Sequence, residues 1–173
     1  MNNTKSARRY ARAIIETATD TEAVRDELGS VSGTLRTVPA LLAALSNPSV
    51  PTANKKAIFS AVFQGLSMPL PRLFDLLIDA SRIELVHEIV HRYRDEWNAR
   101  NNVHVAKVTT AFVLDDETDQ RVRKAIEALV AGTVQMETSV DPALMGGLKV
   151  EVDGHLFDGT VRARLKALRQ HLL

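Results

Sequence analysis

A chain of 173 residues, 45% of them hydrophobic, is long enough for one ordinary domain or two small ones and apolar enough to pack a core. Its 22 Lys and Arg against 21 Asp and Glu leave a net charge of +1, too weak a field to draw nucleic acid or an anionic membrane nonspecifically, so no nucleic-acid partner is expected. The absence of cysteine excludes disulfides and thiolate metal sites, and the lack of any run of about 18 apolar residues leaves no membrane span.

The N-terminal stretch "MNNTKSARRYARAII" has no uninterrupted apolar segment of the kind that directs secretion, so export is not expected either. Ala7, Tyr10, Ala11, Ile14 and Ala18 recur at helical spacing and predict an amphipathic first helix. A second helix is predicted over Thr21 to Val38 and a short third over Pro39 to Leu45. "SNPSVP" then breaks the pattern, because proline removes a donor and turns its predecessor away from helix. "TANKKAIFSAVFQG" restarts a helix with Thr52 as N-cap and Gly65 as stop. After "SMPLP", the residues from Pro71 to Asn101 read as two helices meeting near Ser81. Six helices with short connections predict a bundle over residues 1–102.

Beyond "NARNN" the period drops to two. Ala106, Val108, Thr110, Phe112 and Leu114 predict one face of a strand. Asp115 or Asp116 can cap a following helix whose Val122, Ala125, Ile126 and Leu129 face one way, with Gly132 as its end. Val134, Met136, Thr138 and Val140 mark a second strand, and Leu148, Val150 and Val152 a third. Asp153 and Gly154 suit a two-residue turn that returns "HLF" antiparallel beside "LKVEV". A last helix is expected to start near Asp158, with Val161, Leu165, Leu168 and Leu172 in one stripe and Arg162, Arg164, Lys166 and Arg169 making it basic. The fold class expected is α+β: a six-helix bundle followed, over residues 103–173, by a small α/β domain with a mixed sheet.

"HEIVH", His87 to His91, matches the pattern by which one helix offers zinc two ligands and a general base, and makes a zinc-dependent peptidase the alternative reading. A helical wheel argues against it. Ile83, Val86, Ile89, Val90, Tyr93 and Trp97 share the apolar arc, whereas His87 and His91 fall among Glu84, Glu88 and Asp95 on the face expected to be solvated. Catalytic zinc needs a third ligand, and Arg94 and Trp97 stand where the extended motif would supply glycine and histidine, respectively. Arg92 adds a positive charge beside the site. No phosphate loop of the G-x-x-x-x-G-K type and no G-x-S-x-G turn occurs either, so no enzyme, metal or cofactor is expected.

"DPALMGGLKVEVDGHLFDGTVRARLKAL", Asp141 to Leu168, resembles the C-terminal signature of the delta subunit of F-type ATP synthase, the oligomycin-sensitivity-conferring protein of mitochondria. In that family an Asp-Pro pair and a Gly-Gly precede a strand, and D-G-S-V-R-G-R-L leads into the last helix. Thr160 and Ala163 stand here for the usual Ser and Gly. The resemblance extends to "ARRYARAI", "NPSVPTANKKAI" and "SRIELVHEIVHRYRDEW", although family members often carry Gly where this chain has Ser81. It implies a noncatalytic stator component that links the catalytic head to the peripheral stalk and resists rotation during proton-driven ATP synthesis, on the cytoplasmic face of the cell membrane. The helical domain would grip the N-terminal helix of alpha subunits in a groove that maps to Tyr10, Ala13 and Ile14 facing Leu73, Leu76, Leu77 and Ala80. The C-terminal domain would hold the ends of the b subunits, and Arg162, Arg164, Lys166 and Arg169 are the residues offered for that contact. Read for their own chemistry, Gly146, Gly147, Asp158 and Gly159 serve tight turns, which favours a structural role for the signature.

Overall fold

The computed structural model describes residues 3–130 and 132–171, and within them the side chains of residues 4–130 and 132–166. The chain divides into two compact units, Met1–Trp97 and Asn98–Leu173. Eight α-helices and a four-stranded mixed sheet are present among the described residues. The fold class is α+β, a helical part followed by a small sheet part. Six helices precede the sheet and two more accompany the strands, eight in all among the described residues.

Helices α1 (Asn3–Thr17), α2 (Thr21–Thr37), α3 (Pro39–Ser46), α4 (Thr52–Val62), α5 (Leu70–Asp79) and α6 (Val86–Arg100) precede the sheet, with a 3-10 turn at Ile83–Leu85. Asp20 caps α2, its carboxylate accepting the Glu22 and Ala23 N–H groups at 3.0 Å each. Pro39 opens α3, where a missing N–H costs nothing. Thr52 does not cap α4 as expected. Pro51 occupies the cap position and its carbonyl accepts the Asn54 and Lys55 N–H groups, so Thr52 is already helical. The helix ends at Val62, and Gly65 takes a φ of 74° in the turn beyond it.

The core of this unit gathers Ala7, Ala11, Ile14 and Ile15 from α1, the Val24–Leu28–Val31–Leu35 stripe of α2, and buried residues of every later helix. The Phe59 ring stacks obliquely on Phe63 and Phe74, with centroids 4.7 and 4.5 Å apart. α6 is tied to the start of α2 by polar tips on apolar bodies. The Tyr93 hydroxyl donates to the Thr21 carbonyl at 2.8 Å, and Arg25 lies 4.3 Å over the Trp97 ring.

The predicted joint near Ser81 is a helix stop of the Schellman type. Ser81 N–H donates to the Ile78 carbonyl and Arg82 N–H to the Leu77 carbonyl, with Ser81 at φ 53°.

In the second unit, β1 (Val103–Thr110), α7 (Asp116–Val130), β2 (Thr133–Val140), β3 (Leu148–Val152), β4 (His155–Asp158) and α8 (Val161–His171) follow in order. The strands lie β2-β1-β3-β4, with β1 and β2 parallel and the other pairs antiparallel. Ala106 pairs with Met136 on one side and Val152 on the other, so one sheet face carries Ala106, Val108, Val134, Val150 and Val152, closed by Ile126 of α7. The turn between β3 and β4 has Asp153 at φ 51° and Gly154 at 77°, as a two-residue hairpin requires.

Three expectations need correction here. β1 stops at Thr110 rather than running to Leu114: the buried Thr110 hydroxyl donates to the Phe112 carbonyl at 2.7 Å and turns the chain, leaving Phe112 65% exposed. The buried stripe of α7 is Val122, Ile126 and Val130, while Ala125 and Leu129 face solvent. Finally, α8 begins at Val161, with Thr160 as its cap, so Asp158 still belongs to β4.

Candidate interaction surfaces

Ile14, Leu73 and Leu77 are buried in the core of the helical unit, and Tyr10 packs half-buried against it. Ala13, Leu76 and Ala80 are exposed, Leu76 at 49%. One face of α1 borders a pocket of about 420 Å³, whose walls include Arg9, Tyr10, Arg12, Ala13 and Glu16 from α1 and Arg82 from the segment after α5, but no residue of α5 itself. Ile14, Leu73 and Leu77 of the predicted groove therefore serve the core, while Ala13, Leu76 and Ala80 face solvent. The heptad-like stripe of α1 could not separate the two, because Tyr10 and Ile14 lie on the same side of the helix.

The "HEIVH" side chains are engaged in local pairs. His87 is half-buried, not solvated as expected, and its Nδ1 lies 2.8 Å from the Ser32 hydroxyl of α2. His91 faces Asp95 at 3.0 Å, and Glu88 accepts from Arg92 at 3.0 Å. Among the described residues no group of three His, Cys, Asp or Glu side chains converges.

In the second unit the two halves of the C-terminal signature lock together. Gly146 and Gly147 have φ of 152° and 79°, and a Cβ on Gly147 would stand 2.4 Å from the Gly159 carbonyl oxygen. Leu148 O accepts the Gly159 N–H at 2.9 Å, and Gly146 O accepts the Val161 N–H at 3.1 Å. The glycines let the backbone before β3 touch the backbone between β4 and α8. Thr160, 3% exposed, accepts the Ala163 N–H through its hydroxyl at 3.1 Å and so caps α8. The Thr160 side chain first, and its N–H second, hold the Asp158 carboxyl below the usual carboxylate range. Asp115, the cap of α7, is lowered in the same way by Thr118.

Arg162, Arg164 and Lys166 are exposed on α8, and Arg162 donates to the Ala143 carbonyl at 3.1 Å. The Arg169, Leu168 and Leu172 side chains lie outside the described residues. Val161 and Leu165 of the predicted apolar stripe are 43% and 58% exposed. With Phe157 at 44% they leave apolar surface around the start of α8. Composition could not reveal this, because an apolar stripe reads the same whether the chain or a partner covers it.

The family model described as ATP synthase delta (OSCP) subunit matches residues 7–172. The chain belongs to that family. Proteins named ATP synthase subunit delta are similar to this delta-family chain over 99% of its length: one from Syntrophobacter fumaroxidans at 32% identity and one from Lactobacillus delbrueckii subsp. bulgaricus at 30%, covered over 97% and 98% of their own lengths. A chain in the cryo-EM structure of the Toxoplasma gondii mitochondrial ATP synthase hexamer shares the fold, with a TM-score of 0.70, 20% identity and 96% of each chain covered. The delta-family chain is thus a noncatalytic, stator-type subunit of F-type ATP synthase that serves ATP synthesis and proton transport as part of the membrane-bound complex. No helix among its described residues is by itself long and apolar enough to cross a membrane.

Proposed function

We propose that this protein bridges two ATP synthase components, gripping the N-terminal helix of alpha subunits with residues 1–102 and the ends of the b subunits with residues 103–173, on the cytoplasmic face of the cell membrane. Exposed Leu76 carries the first half of the reading, together with half-buried Tyr10 and exposed Ala13 and Ala80 of the predicted set. Ile14, Leu73 and Leu77 of the same set are buried in the core. An amphipathic partner helix would set its apolar anchors against the exposed residues. The second half is supported by Phe157, Val161 and Leu165, which stand exposed beside Arg162, Arg164 and Lys166. Arg169 would extend the same basic run toward acidic residues of the stalk.

Two modest contacts suffice for a load-bearing link, since attachment at one end raises the effective concentration at the other. Calorimetric titration of the protein with a peptide of the alpha N-terminus, and separately with a fragment carrying the C-terminal end of the b subunits, tests both halves. Saturable binding of each is expected. A folded preparation that binds neither removes the bridging role, and reversal of Arg162 and Lys166 to Glu with no change in affinity for the stalk fragment at any salt concentration removes the basic face from it.

A further inference from the structure

Three arginines, Arg9, Arg12 and Arg82, border the pocket beside Tyr10 and Ala13, against one carboxylate, Glu16. Glu16 is already engaged with Arg12 at 3.4 Å. Arg9 and Arg82 have no ion pair among the described residues, and both are exposed. The charge is costly to the helix that carries it. α1 has no acidic residue in its first turn, where Lys5 sits at the positive end of the helix dipole. Lys5, Arg8, Arg9 and Arg12 are like-charged neighbours at i,i+3 and i,i+4, a spacing that destabilises a helix. Among the described residues only the Arg12–Glu16 pair offsets that arrangement, and local rules broken without a full internal gain concentrate at functional surfaces.

We infer that Arg9 and Arg82 form a cationic rim that selects an acidic amphipathic helix, with an apolar anchor on Tyr10 and Ala13 and carboxylates one turn apart on either side. The inference rests on the alpha-subunit reading and adds its specificity element. Guanidinium groups suit this task because their planar donor fork meets a carboxylate with two parallel bonds. Because the rim is exposed, it acts through screened charge: it speeds encounter and rejects neutral or basic helices more than it deepens final affinity.

The test uses the full chain and two synthetic peptides: the alpha N-terminal segment encoded in the same genome, and the same peptide with its Asp and Glu replaced by Asn and Gln. The Arg9→Gln, Arg82→Gln double variant is expected to bind the acidic peptide about threefold to tenfold more weakly than the parent at low salt, as two exposed ion pairs allow. The difference should vanish with the amide peptide, shrink as salt is raised past about 0.3 M, and come with an unchanged or higher melting temperature. If the acidic peptide binds the parent and the double variant equally, the rim is overturned while the alpha-subunit reading stands. A lowered melting temperature with unaltered selectivity assigns the arginines to the fold and overturns it too. If neither peptide binds the folded parent, the alpha-subunit reading itself fails and the rim goes with it.

Discussion

Ser81 holds a left-handed backbone with a side chain attached, at φ 53°, because the stop between α5 and the 3-10 turn needs that conformation to satisfy the Leu77 and Ile78 carbonyls. A Cβ there costs on the order of 1 kcal/mol, partly offset by the greater freedom glycine has in the unfolded chain. Ser81→Gly is therefore expected to stabilise the helical unit by about 0.5–1 kcal/mol, seen as a higher midpoint in urea; a loss of stability would show that the serine makes a contact worth more than the strain. Gly147 is the opposite case. Its φ of 79° and a 2.4 Å approach to the Gly159 oxygen by any added Cβ leave no room for alanine. Gly147→Ala should cost about 2–4 kcal/mol through backbone strain and displacement of the turn, read as early loss of the sheet unit in denaturant. Full stability in that variant would mean the two signature turns need not touch.

At the scale of elements, the start of α8 combines a turn, a cap and a carboxylate. Asp158 ends β4 and accepts the Thr160 N–H at 3.0 Å, while Thr160 caps the helix through the Ala163 N–H. Hydrogen bonds from Thr160 lower the Asp158 carboxyl from its ordinary value of 3.8. A depressed folded value means that the ionised form stabilises the fold above about pH 4 and that this contribution is lost as pH falls through the folded value. Asp158→Asn should thus be less stable than the parent at pH 6, and the gap should close in melts taken toward pH 3. A gap of constant size would assign the effect to hydrogen-bond geometry rather than charge. The Asp115 carboxyl at the start of α7 is lowered in the same direction, so both helix starts of this unit contribute to the loss of stability in acid.

For the whole molecule, the proposed bridging role requires that the two units bind independently and act together through the chain. Leu76→Asp, on an exposed position of α5, should lower affinity for the alpha N-terminal peptide by about tenfold or more, with no change in affinity for the stalk fragment; equal losses on both partners would argue for one composite site instead. Much of this protein was readable from residue order alone. Helix and strand periods, the break at Pro48, the Asp153–Gly154 turn and the Gly-Gly and Asp-Gly signature are local, and local backbone preference decides them. Family membership was legible for the same reason, since its signature consists of turn residues that little else can replace. What tertiary structure alone decided is where each amphipathic stripe ends up. The Thr110 hydroxyl ends β1 before Phe112, His87 meets Ser32 from another helix, and the stripe of α8 leaves Val161 and Leu165 in solvent. Burial is a relation between elements far apart in sequence, so periodicity can mark an apolar face but not what covers it.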